Sequence, residues 1–275
     1  YAQAIPKGKI LIQNTNNPDD INKDEPIQIN LVGDTKLTIE NLITVIKKKT
    51  QNKGFGDLEK TASKIKVIKE RWLAEWHNSL NSDEEPISYY RVIQEINKNL
   101  DLENSIVTHD AGAPRDTIVP FFSATIPHSY IGWGKTTHLG FGIPLMIGAK
   151  MAQPEKFCLN LMGDGAFGMS GTDLETAARS GAAITTVLLN NSAMATYSGP
   201  LQGTIGEEAR NKYGVSSMQG DYAKIAEGMG AIGIKVSKPG DIGSALKEAQ
   251  VQNKKGKTVL IEVEANIEQR RSKFQ

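Results

Sequence analysis

Two short polar motifs in this chain carry side chains suited to holding a metal ion. One is Gly163-Asp164-Gly165, which follows the apolar run FCLNLM, and the other is Asn190-Asn191, which follows TTVLL. A carboxylate and an amide oxygen are hard donors, and Mg2+ takes such oxygens in near-octahedral geometry, seldom all of them from protein. Phosphate oxygens, water and a backbone carbonyl would complete the shell. Gly163 and Gly165 would let a diphosphate lie close to the backbone. Either motif alone is an ordinary turn sequence. The pair becomes informative through the elements that place it.

Residues 157–162 and 184–189 read as strands. Between them runs a helix, opened by the capping pattern Thr172-x-x-Glu175 and closed by Gly181. Strand, helix, strand is a βαβ unit, whose right-handed crossover delivers both strand ends to one edge of a parallel sheet. Asp164 and Asn191 are therefore predicted neighbours, and Ser170 or Thr172 would begin a helix whose amides face the same region. The alternation extends both ways, with helix 139–152 before the unit, then helix 221–229, strand 231–236, helix 241–252 and strand 257–263 after it. Upstream, Pro86 suits the first turn of a helix bearing Val92, Ile93 and Ile96, and SIVTHDAGAP reads as a buried strand entering a tight loop. The pattern predicts an α/β fold, a doubly wound parallel sheet with helices on both faces, which takes ligands beyond the carboxyl ends of its strands.

Nearer the N-terminus, KILIQ (9–13) and IQINLV (27–32) read as strands joined by the turn-forming NTNNPDD. A helix follows, with Ile39, Leu42, Ile43 and Ile46 spaced as one buried face and a basic KKK at its end. That unit is too small to close a core alone. Residues 50–85 are polar around KIKVIKERWLAEW, as expected of a linker helix crossing a surface. The expected divisions are 1–49, a linker at 50–85, and a main domain at 86–275. The chain opens on Tyr1 and is expected to begin partway through a domain, as a fragment of a longer protein.

Composition excludes more than it indicates. The 32 basic and 31 acidic residues leave a formal net charge of +1, which gives no electrostatic reason to expect nucleic acid or an anionic membrane as partner. A single cysteine, Cys158, rules out an internal disulfide or a thiolate zinc site and reads as a buried, inert thiol. The apolar stretches are short and broken by glycine, so no membrane span is predicted, and a soluble, cytoplasmic protein is expected. No G-x-G-x-x-G follows a first strand with an acidic residue about 20 positions on, which argues against a dinucleotide-binding oxidoreductase.

GDGAFG followed by LNN resembles the cofactor-binding motif of the thiamine diphosphate (ThDP) enzymes of the acetolactate synthase group. The resemblance implies that Asp164, Asn191 and the backbone carbonyl of Ala193 ligate Mg2+, and that Gly163, Gly165, Ala166, Met194 and Ala195 lie against the cofactor. HLGFGIPLMIGAK is similar to the segment that holds the bent cofactor between its rings. Leu139 falls at the large apolar residue that enforces the V shape, His138 beside it joins the implied contacts, and the Thr137 carbonyl would accept from the 4′-amino group. THDAGAP resembles a loop that meets the diphosphate, but Ala113-Pro114 stands where a Gln-His pair is usual, so contacts there would rest on the Gly112 and Ala113 backbone. Residues 1–49 resemble the end of the group's central domain. The pyrimidine-binding domain and its catalytic glutamate have no counterpart here and would come from a missing segment or another subunit, which also implies a homodimer or homotetramer.

The implied chemistry is making or breaking a bond to the carbonyl carbon of a 2-keto acid, with decarboxylation and carboligation. Two alternatives remain at this point. GDGAFGMSGTDLET is also similar to oxalyl-CoA decarboxylase and 2-hydroxyacyl-CoA lyase, which would make the substrate an acyl-CoA. The fold could also serve a non-catalytic binding or regulatory homologue, since fold does not fix function. The loop SAMATYSGPLQG matches neither group closely, although Met194 and Tyr197 suit a pocket wall.

Overall fold

The structure is a computed structural model that describes residues 5–54, 56–132, 138–194, 207–214, 217–268 and 270. It divides into two compact units, Tyr1–Arg71 and Trp72–Gln275. In the first, β1 (Ile12–Thr15) and β2 (Ile29–Val32) pair in parallel, Ile12 opposite Ile29. Pairing begins at Ile12 rather than within KILIQ because the ladder partner, and not the β-propensity of one run, sets where a strand starts. Next comes α1 (Thr35–Lys49), capped by the Asp34 carboxylate on the Leu37 amide at 3.0 Å and ending on three lysines.

The expected buried face of α1 does not form among the described residues of this unit. Ile39, Leu42, Ile43 and Ile46 are 42–49% exposed. The helix keeps its period, but two short strands offer too little surface to cover it, and no described residue of this unit is buried. The division between the units falls inside α2 (Leu58–Glu75). Trp76 and then Leu80, at the end of α3 (His77–Leu80), are buried in the second unit, so its core reaches upstream of Pro86. The Trp76 ring lies 4.7 Å from Tyr90 and 5.1 Å from Phe121, an aromatic cluster hidden in a stretch whose composition is polar.

The second unit is built on five parallel strands, β3 (Ser105–His109), β4 (Phe157–Gly163), β5 (Thr185–Asn190), β6 (Ile232–Val236) and β7 (Val259–Glu264), ordered β3-β4-β5-β7-β6. Helices cover both faces, as the strand–helix alternation predicts. On one face Leu159, Leu161, Val187, Leu189, Ile261 and Val263 pack under α4 (Tyr89–Asn99), α5 (Ala113–Ile118) and the C-terminal helix Ile242–Lys254. The alternate residues Cys158, Met162, Ile184, Leu188 and Leu260 point the other way, under α6 (Gly142–Ala152), α7 (Asp164–Ser170) and α8 (Asp173–Ser180). Each fully buried aliphatic side chain contributes about 1.5–3 kcal/mol, so this two-sided core fixes the sheet whose upper edge carries the polar motifs. Helices α9 (Glu207–Tyr213), α10 (Tyr222–Gly228) and α11 (the C-terminal Ile242–Lys254) complete the element order.

Local details differ from expectation in three places. Pro86 precedes α4 instead of sitting in its first turn; Ser88 is the N-cap, accepting from the Tyr90 amide, and Ile87 bridges to Ala265. GDGAFG is not a loop, because α7 begins at Asp164 and its Ala166 and Phe167 are buried. Ser170 and Thr172 therefore do not open the helix after β4. Thr172 is itself in helical conformation and makes no side-chain cap, so the predicted capping box is absent. Gly181 does close α8 in left-handed conformation at φ 70°.

Candidate cofactor site

The ends of β4 and β5 leave the sheet together, with Gly163 opposite Leu189. Asp164 follows at once and is only 3% exposed. Its Oδ1 accepts the Gly165 amide at 2.8 Å, and the amides of Ser192 and Ala193 also face the carboxylate. Its Oδ2 is buried and has no hydrogen-bond partner among the described residues. Burial outweighs the amides and pushes the Asp164 carboxyl above the usual carboxylate range. A buried acid with an unmatched oxygen is what a bound cation would relieve.

Asn191 is oriented from both ends. Its Nδ2 donates to the Tyr89 hydroxyl at 2.6 Å, and its Oδ1 accepts the Ala193 amide at 3.0 Å, closing an Asx turn that leaves one oxygen lone pair free for a metal. Among the described residues no three His, Cys, Asp or Glu side chains gather into a metal cluster. The donors at hand are a carboxylate and an amide oxygen, which fit a hard divalent ion completed by phosphate and water.

The other predicted residues close around α7. A Cβ on Gly165 would sit 3.3 Å from Met194 Cγ, so Met194 lies over the first turn, half out of the protein. Gly163 faces Pro114 at 3.9 Å by the same measure. This places the Gly112-Ala113 turn beside the end of β4; Gly112, at φ 79° and ψ −142°, holds a conformation only glycine adopts readily, and Ala113 opens α5. Ala166 is buried in the core beneath. His138 is exposed, and Leu139 is partly buried against the core under α6. Gly140 abuts Ser170 at the far end of α7. Four segments, 112–114, 138–142, 163–166 and 191–194, thus converge at the carboxyl edge of the sheet.

Comparison with known families bears on this edge directly. The family model described as "Thiamine pyrophosphate enzyme, C-terminal TPP binding domain" matches residues 110–263. The chain belongs to the thiamine pyrophosphate enzymes. Its relatives include the acetolactate synthase isozyme 3 large subunit of Escherichia coli K12, 26% identical over 90% of this chain and 42% of the other. The mitochondrial acetolactate synthase catalytic subunit of Saccharomyces cerevisiae is 29% identical over 88% of this chain and 34% of its own. The putative thiamine pyrophosphate-containing protein YdaP of Bacillus subtilis is 26% identical over 90% and 41% respectively. The chain therefore spans 34–42% of the length of these relatives.

Within this thiamine pyrophosphate domain, Thr137, Ala195 and Tyr197 lie outside the described residues. Two residues at the site had no sequence signal. Tyr222, at the start of α10, turns its ring edge-on to Phe167 of α7 at 5.4 Å, and its buried hydroxyl has no partner among the described residues. Burial, reinforced by the Asp164 and Glu262 charges, pushes that phenol up to about 12. Asp110, at the end of β3, is completely buried and accepts the amides of the adjacent Ala111 and of Gly140 and Gly142 in the 138–142 segment. Cys158 is buried well below the site, and burial pushes its thiol up to about 11, out of reach of ordinary reactivity. A cavity of about 740 Å³ opens at the opposite edge, lined by Ser105, Phe157, Ala183, Lys150 and Lys254. It lies where the strands begin, the edge that parallel α/β sheets do not use for their ligands.

Proposed function

We propose that this chain is the diphosphate-binding part of a ThDP- and Mg2+-dependent enzyme of acetolactate synthase type, acting on a 2-keto acid. The observation that carries the reading is the buried Asp164 Oδ2, without a hydrogen-bond partner among the described residues, near the oriented Asn191 amide. Asp164, Asn191 and the Ala193 carbonyl would hold the metal. Backbone at Gly112, Ala113, Gly163 and Gly165 would border the diphosphate, with Met194 and Ala195 at the pocket wall. Leu139, flanked by His138 and the Thr137 carbonyl, would support the bent cofactor from the other side. When bound, thiamine diphosphate supplies an electron sink for a carbanion next to a former carbonyl. The protein's part is to fix the diphosphate pole, leave the ring pole in contact with Leu139, and exclude water.

In this reading residues 1–49 are the end of a central domain, 50–85 a linker and 86–275 the diphosphate domain. The glutamate that serves the aminopyrimidine would come from a segment or subunit outside this chain, in a homodimer or homotetramer. The relatives named acetolactate synthase support the 2-keto acid over an acyl-CoA substrate. Among the described residues no helix is long and apolar enough to cross a membrane.

Calorimetric titration of ThDP, with and without Mg2+, into the protein together with the segment or subunit that supplies the pyrimidine-binding domain tests the proposal. Wild type should bind only with the metal, and Asp164→Ala should lose that binding while keeping its circular dichroism. Absence of binding to wild type would overturn the proposal.

A further inference from the structure

Asp110 is 0% exposed. Oδ1 accepts the Ala111 amide at 2.7 Å and the Gly140 amide at 3.0 Å, and Oδ2 accepts the Gly142 amide at 3.0 Å. Its own amide donates to the Leu161 carbonyl of β4 at 2.7 Å, which anchors it to the sheet. Among the described residues no ion pair reaches it. A buried carboxylate is costly, and backbone amides alone must hold this one. Two of those amides come from a turn distant in sequence, which marks the carboxylate as a clamp between segments.

The Gly140 amide belongs to the peptide that joins Leu139 to Gly140. Fixing that peptide plane fixes where Leu139 leaves the backbone. The same corner has little room to move on its other sides. Gly140 is at φ 84°, and a Cβ there would lie 3.0 Å from Ser170 Oγ; one on Gly142 would lie 2.1 Å from the fully buried Asn160 Oδ1. Asp110 is also two residues before Gly112, where the turn into α5 starts. One carboxylate therefore connects the segment proposed to shape the cofactor with the segment proposed to border its diphosphate.

We propose that Asp110 is a positioning residue that sets Leu139 against the cofactor, an inference that rests on the ThDP reading of the site. Its task is separate from cofactor affinity, because the proposed metal ligands sit on the β4 and β5 ends and the carboxylate bonds on the 112 side only its own neighbour Ala111, whereas it reaches across the fold to Gly140 and Gly142. Asp110→Asn keeps one acceptor but turns an NH2 toward the Gly142 N–H, donor against donor. Loss of that bond frees the 139–142 corner while Asp164 and Asn191 stay in place.

Two measurements on Asp110→Asn decide the matter. In the first, amide hydrogen exchange of the cofactor-free protein, Gly140 and Gly142 should exchange faster than in wild type, with β4 and β5 unchanged. In the second, with Mg2+ and ThDP, affinity should stay within about threefold of wild type. In the assembly that includes the segment or subunit supplying the aminopyrimidine glutamate, exchange of the thiazolium C2 proton of the bound cofactor should meanwhile fall on the order of 100-fold, the scale expected of an ångström-size misplacement. Leu139→Ala should give the same split, and the double variant should be no worse than Leu139→Ala alone. Unchanged amide exchange, or affinity and C2 exchange falling together, would overturn the role of Asp110. Failure of wild type to bind ThDP removes the site reading itself and the inference with it. Should the Asn variant not fold, Asp110→Glu, which keeps the charge but displaces it by a methylene, is read by the same criteria.

Discussion

His109 shows how burial at one residue becomes a pH dependence of the whole fold. It ends β3, is 4% exposed, and has its Nδ1 3.0 Å from the Asp110 carbonyl and its ring 5.7 Å from Tyr130. Burial, with the Arg115 charge adding to it, holds the imidazole below its ordinary 6.5. The unfolded chain takes up a proton near that ordinary value and the folded one resists, so stability is flat above it and falls as pH drops toward the depressed folded value. Urea midpoints of wild type should decline between about pH 7 and pH 5, in excess of His109→Gln. Equal declines would refute the assignment. Residues differ in how far the sequence announces them. Asp164 and Asn191 were legible because each ends a recognisable strand and consecutive parallel strands must end together. Asp110 was not, because nothing in THDAGAP says that Gly140 and Gly142 will bring their amides to it. Tyr222 reads equally well as core, and only the packing of α10 against α7 brings its hydroxyl near Asp164.

Among elements, the contact of α10 with β6 is the tightest test of packing. A Cβ on Gly233 would fall 2.3 Å from the carbonyl oxygen of Ala223, a helix backbone atom that cannot turn aside. Gly233→Ala should thus cost about 3 kcal/mol, the upper end of ordinary overpacking. Gly148, exposed inside α6 with nothing within 4 Å of its would-be Cβ, is the counterpart. Gly148→Ala should gain about 0.5–1 kcal/mol through helix propensity alone. Chemical denaturation of the two variants checks both signs, and similar values would mean that the α10–β6 contact yields easily. The same balance of propensity and packing explains where the element reading failed. GDGAFG reads as a loop because each glycine weakens a helix by about 1 kcal/mol, yet burial of Ala166 and Phe167 under α7 outweighs it. Thr172 reads as a cap until α7 occupies the preceding turn and leaves it in helical conformation.

For the molecule as a whole, the uneven distribution of burial predicts an uneven distribution of stability. The second unit holds two core clusters on the two faces of one sheet, whereas no described residue between 5 and 71 is buried. Local structure in the first unit follows sequence closely, down to the Asp34 cap and the lysine-rich end of α1. What the sequence could not reveal is that its apolar stripe stays uncovered by the described residues of its own unit, because a period of 3.6 identifies a face and not what covers it. Helices without tertiary cover are marginal in water at this length, so their hydrogen bonds open in low-energy fluctuations. Native-state hydrogen exchange of this chain should therefore show the amides of α1 exchanging orders of magnitude faster than those of β4, β5 and β7, which should open only with global unfolding. Addition of Mg2+ and ThDP should slow the β4 and β5 amides further by mass action, and leave α1 unchanged. Protection of α1 equal to that of the sheet would show that the stripe is covered after all, and that burial within the second unit is not what sets stability along the chain.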